Sequence, residues 1–171
     1  MGLSYKQIAA SSKASQGKDE LEWLLKNVAA IKPKVILEIG VHQGYSLDVW
    51  RKAFNPKILL GVDNDLHAYD SKEKVLAADS HSDDTFVEVE KIVGGDRVDF
   101  LFLDGDHTYE GVKKDFLMYK ALVRKGGIIA FHDAGLKDHP LVEVYKFWAE
   151  INTPECDFYQ KDATGVGIYY V

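Results

Sequence analysis

The chain has 171 residues, 46% of them hydrophobic, and a formal net charge of −6. That length suits one domain with a real core and leaves little room for a second. The acidic balance and the lack of a basic block argue against a nucleic-acid partner, and a lone cysteine, Cys156, excludes an intrachain disulfide or a multi-cysteine zinc site.

In chain order, residues 1–17 read as an N-terminal extension and 18–171 as one domain. The opening MGLSYKQIAASSKASQGKDE has no long apolar segment, so neither a signal peptide nor a membrane span is expected. Lys6 stands where N-myristoylation needs Ser or Thr. The expectation is a soluble, cytoplasmic protein from a reducing compartment.

KDELEWLLKNVAAI (18–31) puts Leu21, Leu24, Leu25 and Val28 on one helical face. KVILEIG (34–40), KILLGVD (57–63), VDFLFLDG (98–105) and GGIIAFHD (126–133) are short, apolar runs closed by Gly or an acid, as buried parallel strands are. KVLAADS (74–80) is a weaker fifth strand. DTFVEVEKIVGG (84–95) and LVEVYKFWAEI (141–151) have helical periodicity. TYEGVKKDFLMYKALVRKGG (108–127) predicts a helix ending with Arg124 and Lys125 in its last turn and glycine beyond. The tail differs: CDFYQK and GVGIYYV are joined only by DATG, too short for a crossover helix, so they pair antiparallel. The alternation predicts an α/β, doubly wound, Rossmann-like mixed sheet of seven strands with a C-terminal antiparallel hairpin. Such sheets bind ligands at the carboxyl ends of their strands, beside the switch in strand order.

The loop LEIGVHQGYS (37–46) follows the first strand and opens a helix. Gly40 would let the backbone approach a ligand, and Gly44 would sit at the helix start. The spacing is G-x-x-x-G, whereas a dinucleotide fingerprint is G-x-G-x-x-G. His42 occupies the position of the second glycine, where its ring would crowd a pyrophosphate, so NAD is disfavoured. Asp63, at the end of the second strand, is placed either to accept hydrogen bonds from a ribose or to be an ordinary surface acid. Asp79 and Ser80 would bracket an adenine edge. Asp104, Asp106 and His107 form a polar lip at the end of the fourth long run, costly to desolvate unless paired. Asp106 alternatively caps the helix near Thr108. His67, His81 and His139 lack spacing partners and read as surface residues. Tyr45, Tyr69, Tyr109 and Trp148 are either walls of a site or core.

This combination resembles a class I S-adenosylmethionine-dependent methyltransferase. EIGVHQGYS is similar to the first motif of the small-molecule O-methyltransferases typified by catechol O-methyltransferase, and GVDND to the second. FLFLDGDHTYEGVKKDF followed by LVRKGGIIAFHD resembles a bacterial group allied to macrolide-sugar O-methyltransferases and cephalosporin-hydroxylase-like proteins. The resemblance covers roughly residues 20–171. It implies S-adenosylmethionine as cofactor, with Glu38 and Gly40 along the methionine part, Gly44, Tyr45 and Ser46 at its carboxylate end, and Asp63 at the ribose. His42, Asn64, Asp79, Ser80 and Asp104 complete the implied cofactor site. The resemblance also implies a metal site of Asp104, His132 and Asp133, with His107 taking the acceptor's proton.

Methyl transfer needs an aligned oxygen nucleophile; a cation and a neutral imidazole both promote loss of its proton. The catechol enzymes have Asp then Asn where this chain has His132 then Asp133. A histidine ligand would move preference from Mg²⁺ towards Mn²⁺, Fe²⁺ or Zn²⁺; alternatively His132 only orients Asp133 and no metal binds. The function implied is O-methylation of a hydroxyl on a sugar or other small metabolite, with no nucleic-acid or membrane partner. The rival reading is a cofactor-binding regulatory module with a degenerate active site. Without an insertion to roof the acceptor, either the groove is open or a second subunit of a homo-oligomer closes it.

Overall fold

Strands covered by helices on both faces are apolar along most of their length, as residues 35–39, 58–62, 98–103 and 127–131 are, whereas 74–77 is a half-exposed edge. In the computed structural model, which describes residues 2–66, 69–161 and 163–171, the chain opens with helices α1 (Tyr5–Ser11) and α2 (Lys18–Ala30), then alternates: β1 (Val35–Ile39), α3 (Tyr45–Phe54), β2 (Ile58–Asp63), β3 (Lys74–Ala77), α4 (Asp83–Val93), β4 (Val98–Leu103), α5 (Tyr109–Tyr119), β5 (Val123–Phe131), α6 (Val144–Ile151), β6 (Asp157–Tyr159) and β7 (Val166–Tyr170). The strand order is β3-β2-β1-β4-β5-β7-β6. The first five in that order run parallel; β7 pairs antiparallel with β5, and β6 with β7. This is the doubly wound Rossmann-like sheet with a terminal antiparallel hairpin that the sequence predicts.

Residue parity divides the core in two. Ile36, Phe100, Phe102, Ile128 and Ala130 face α1, α2 and α3, meeting Ile8, Leu21, Leu25 and Trp50. Their sequence neighbours Leu37, Ile39, Leu101, Leu103, Ile129 and Phe131 face the other way, against Val89, Val112, Phe116 and Phe147. Trp50 stands edge-on to both Phe100 and Phe102, with centroids 5.2 and 5.3 Å away, the arrangement aromatic quadrupoles favour. At the far side, buried Glu20 of α2 accepts from Thr164 Oγ1 at 2.8 Å and from the Gly165 amide at 2.9 Å. That pair of bonds fixes the turn of the hairpin.

Two elements differ from the sequence prediction. The helix expected over 108–127 stops at Tyr119, passes through a 3₁₀ turn at Lys120–Leu122, and becomes β5 at Val123. Arg124 and Lys125 therefore close no helix. The reason is tertiary pairing: Val123 is buried opposite Val98, and Arg124 Nε donates to Asp99 Oδ1 at 2.5 Å. Asp99 Oδ2 in turn accepts from the Lys34 and Val35 amides at 2.7 and 2.9 Å, tying the strand starts together. The second difference is α1, a helix too short for its periodicity to stand out. Ser4 and Gln7 form a reciprocal capping box at its start, and Ile8 and Ala9 are buried by α2 and α3. Among the described residues no helix is long and apolar enough to cross a membrane.

A candidate active site at the strand tips

The strand order reverses between β1 and β4, so the chain leaves these neighbours in opposite directions and opens a crevice between their ends. The tips are tied at the backbone: Asp104 N–H donates to Ile39 O at 2.8 Å and Gly40 N–H to Val62 O at 2.9 Å. After β1 the loop turns through three left-handed residues, Gly40 (φ 84°), His42 (φ 47°) and Gly44 (φ 79°). A side chain at Gly40 would place its Cβ 2.2 Å from Asp104 O and 2.4 Å from Gly105 Cα. The glycine is therefore required by the adjacent β4 loop as well as by its own turn. Gly44 is the N-cap of α3, as its position in the sequence predicts, and it lies under Tyr69 and Ser71 rather than at a cavity wall.

Asp63, at the tip of β2, holds this loop in shape. Its Oδ2 accepts from the amides of Val41 and His42, both at 2.7 Å, and its Oδ1 from Asp65 N at 2.8 Å. Oδ2 is thereby filled, while Oδ1 keeps a further lone pair. Glu38, expected along a ligand, instead sits fully buried beneath the loop. Its carboxyl group meets the Ser46 hydroxyl and accepts from Trp50 Nε1 at 2.6 Å. Burial pushes its pKa up to about 8, against the lowering effect of Ser46 and Trp50 and helped by Asp104 and Asp63. With its pKa near 8, Glu38 is mostly the neutral acid at pH 7, one oxygen against the Ser46 hydroxyl and the other accepting from Trp50.

That state has a measurable consequence. A carboxyl whose folded pKa lies above its unfolded value favours the fold while protonated, and the contribution fades as pH rises from about 4.5 towards 8. Glu38→Gln reproduces the neutral acid's hydrogen bonds. The expected result is that wild-type stability falls by on the order of 5 kcal/mol across that window relative to the variant. Urea unfolding of both proteins at several pH values checks it; parallel curves would rule out a buried neutral Glu38.

Four titratable side chains converge at the tips of β4 and β5. Asp104, His107, His132 and Asp133 each present a donor atom, all within 4.8 Å of one another. Asp104 Oδ1 lies 3.1 Å from His107 Nε2 and 3.0 Å from His132 Nδ1. Asp133 approaches His107 Nε2 at 3.7 Å and His132 Nδ1 at 3.5 Å, and it is held in the left-handed region at φ 57°, a strain that non-glycine residues show at functional positions. Burial works against each charge here. Even so, the two imidazoles carry Asp104 below the usual carboxylate range, and Asp104 carries His132 well above the usual imidazole range. His107 is raised chiefly by its hydrogen bond to Asp104, while burial raises Asp133. His132 Nε2 and Asp133 Oδ1 are buried without hydrogen-bond partners. Two imidazoles and two carboxylates with unused donors fit a divalent cation, and the nitrogen ligands suit Mn²⁺, Fe²⁺ or Zn²⁺ better than Mg²⁺.

Two hollows meet at this cluster, sharing Gly40, His42, Asp104 and His107. One, of about 450 Å³, runs over β2 and β3 and is lined by Asp63, Asn64, Asp79 and Ser80. The other, of about 570 Å³, runs over β5 and is lined by Tyr45, Ser46, His132 and Asp133. The structure thus brings together every sequence-predicted site residue except Glu38 and Gly44, which support the loop from beneath. Asp106 does not cap α5; Thr108 does, accepting from Gly111 N at 3.1 Å, and Asp106 Oδ1 takes the Thr108 amide at 2.9 Å. Of the aromatics, Tyr45 is a wall, Tyr69 packs on the Gly44 turn, Tyr109 stacks edge-on to Phe147, and Trp148 is core. His139 is exposed, as expected; His67 lies outside the described residues. His81 is not a plain surface residue, since its Nε2 lies 3.3 Å from buried Asp115 Oδ1. One site residue escaped the sequence reading. His107, expected as base or ligand, lies among the donors that could hold a cation, but Gln16, within the supposed extension, was not expected; it donates to Asp104 Oδ2 at 2.8 Å. No sequence pattern marks Gln16.

Comparison with known proteins agrees with this fold. The solved structure of a putative caffeoyl-CoA O-methyltransferase from Staphylococcus aureus superposes with a TM-score of 0.70 at 16% identity, covering 95% of this chain and 87% of that one. An O-methyltransferase from Bacillus cereus in complex with SAH gives 0.67 at 16% identity over 96% and 88%. MycE methyltransferase of the mycinamycin biosynthetic pathway, in complex with Mg and SAH, gives 0.66 at 16% identity over 98% of this chain but 54% of its own. Among curated relatives, an uncharacterised protein of Sinorhizobium fredii is 29% identical over 147 residues, 75% of this chain and 16% of that protein. One from Acanthamoeba polyphaga mimivirus is 29% identical over 128 residues, 64% of this chain and 57% of its own length. The match thus spans only part of both curated relatives. The family model described as a methyltransferase domain matches residues 37–134, from the middle of β1 past the tip of β5. That segment holds the glycine loop, Asp63 and the whole four-residue cluster, and the chain belongs to the methyltransferase domain family.

Proposed function

We propose that this protein transfers a methyl group from S-adenosylmethionine to a hydroxyl of a small molecule, such as a sugar or another metabolite. The observation that carries the reading is the meeting of the Gly40–Ser46 loop and the Asp104–His107 lip in one crevice, so that a donor and an acceptor can lie against each other. Neighbours in structure support the chemistry: the Bacillus cereus enzyme was solved with SAH, and MycE with Mg, SAH and mycinamycin VI.

The donor would supply a methyl group on a sulfonium. The 450 Å³ hollow offers it acceptors in Asp63, Asn64, Asp79 and Ser80 for hydroxyl and amino groups, and the loop from Gly40 through His42 to Ser46 borders its reactive end. The acceptor enters by the 570 Å³ hollow. A divalent cation held by Asp104, His132 and Asp133 would supply a Lewis acid at the acceptor oxygen. His107, one-third exposed in its side chain, is the member of the cluster open enough to take a proton from that oxygen, and Asp104 holds its ring in place. The walls of the two hollows set the approach, which converts a bimolecular displacement into an oriented one.

A second reading, a cofactor-binding module without turnover, draws on one observation: Asp104 is already engaged by Gln16, His107 and His132. Calorimetric titration with S-adenosylmethionine, its demethylated product and NAD, followed by a methyl-transfer assay over a panel of hydroxylated acceptors, tests both. Binding of the first two with turnover is expected. Binding without turnover on any acceptor favours the module, and binding of NAD alone ends the methyltransferase reading.

A further inference from the structure

The segment joining α1 to α2 enters the reaction centre. Residues 13–16 line the 570 Å³ hollow beside the four-donor cluster, and Gln16 is 3% exposed. Its Nε2 donates to Asp104 Oδ2 at 2.8 Å across 88 residues of sequence, while Oδ1 of the same carboxylate faces His107 and His132. A carboxylate turns easily about its last torsion, which has no sharp staggered wells. Pinning one oxygen decides where the other points, so Gln16 selects the rotamer in which Oδ1 lies between the imidazoles. The amide is poorly served in return: Gln16 Oε1 is buried with no hydrogen-bond partner, as are His132 Nε2 and Asp133 Oδ1 of the cluster itself. Three orphaned polar atoms on residues around one hollow indicate a place shaped for something bound rather than for folding alone. The segment is held there by α1, whose Ile8 and Ala9 are buried in the core and whose Tyr5 packs on Phe54 of α3.

We propose that Gln16 is a positioning residue of the Asp104–His107–His132–Asp133 cluster, presetting Asp104 for a divalent cation, so that cation capture depends on the docked N-terminal segment. This rests on the reading that the cluster holds such a cation. Groups that orient ligands without touching the ion change metal affinity by about 10–100-fold.

The test uses Mn²⁺ as probe, titrated by calorimetry into the full-length wild type, Gln16→Met, Gln16→Asn and Asp133→Asn, with a thermal melt of each. Met keeps the volume and removes the donor; Asn keeps the amide and pulls it back by one methylene. The wild type is expected to bind Mn²⁺, Asp133→Asn to lose it, and both Gln16 variants to bind about 10–100-fold more weakly with melting midpoints close to wild type. Should one Gln16 variant unfold, the other decides. A wild type that takes up no Mn²⁺ sinks the cation reading and this inference with it. If the wild type binds, Asp133→Asn does not, and the folded Gln16 variants match the wild type, the inference alone is overturned.

Discussion

Asp104→Asn is expected to lower methyl transfer by about 10²–10⁴-fold, the range for removing a group that sets up proton transfer, while S-adenosylmethionine binds within a few-fold of wild type. The change keeps the size of the side chain but takes away the anion that His107, His132 and Gln16 share. Its neighbours can accommodate the loss, because without Asp104 the main influence raising His132 is gone, leaving the weaker pulls of Asp133 and Glu20 against a burial that favours the neutral ring. The fold therefore survives as the site fails. Single-turnover assays beside calorimetry of the cofactor separate the two effects. Equal loss of cofactor affinity and rate would show that Asp104 belongs to the cofactor's side of the crevice and not to the acceptor's.

Asp63→Ala carries the second large effect, in the opposite pattern. The carboxylate holds the amides of Val41, His42 and Asp65, and hydrogen bonds to a charged group contribute about 1.5–3 kcal/mol each. With the side chain gone, the left-handed turn at His42 keeps only the backbone bonds of its neighbours, such as Gly44 N–H to Val41 O at 2.8 Å. We expect a loss of on the order of 3 kcal/mol in stability and at least about 100-fold in cofactor affinity, since both the loop and the proposed ribose acceptor go together. Asp63→Asn, which retains one acceptor oxygen, should fall between. Denaturant unfolding and calorimetry measure the two quantities, and an Asp63→Ala protein that binds S-adenosylmethionine like the wild type would remove Asp63 from the cofactor site.

The four-residue cluster illustrates how far the chain can be read unaided. Asp104 and His107 were visible as an anomaly, charged groups at the end of the apolar run 98–103, because burying charge without a partner is costly. His132 and Asp133, at the end of another run, were singled out only by the family resemblance. What no spacing announces is that His107 joins the donors rather than standing apart from them, since its distance to Asp133 depends on the loop between β4 and α5 folding back over β5. Glu38 misled for a related reason: it lies inside the glycine motif, but strand parity turns its side chain under the loop, towards Ser46 and Trp50. The false helix end at Arg124 and Lys125 followed a real local preference that a strand pairing overrode.

The sequence by itself determined the alternation of strands and helices, the antiparallel tail and the crevice at the switch point. These follow from hydrophobic periodicity and connection length, which are local properties of the chain. Only the tertiary structure decided that Gln16 holds Asp104, that Glu38 is a buried neutral acid, and that the segment before α2 walls the larger hollow. Each of these is a contact between residues far apart in the chain, and its energy depends on burial and orientation that no local pattern encodes.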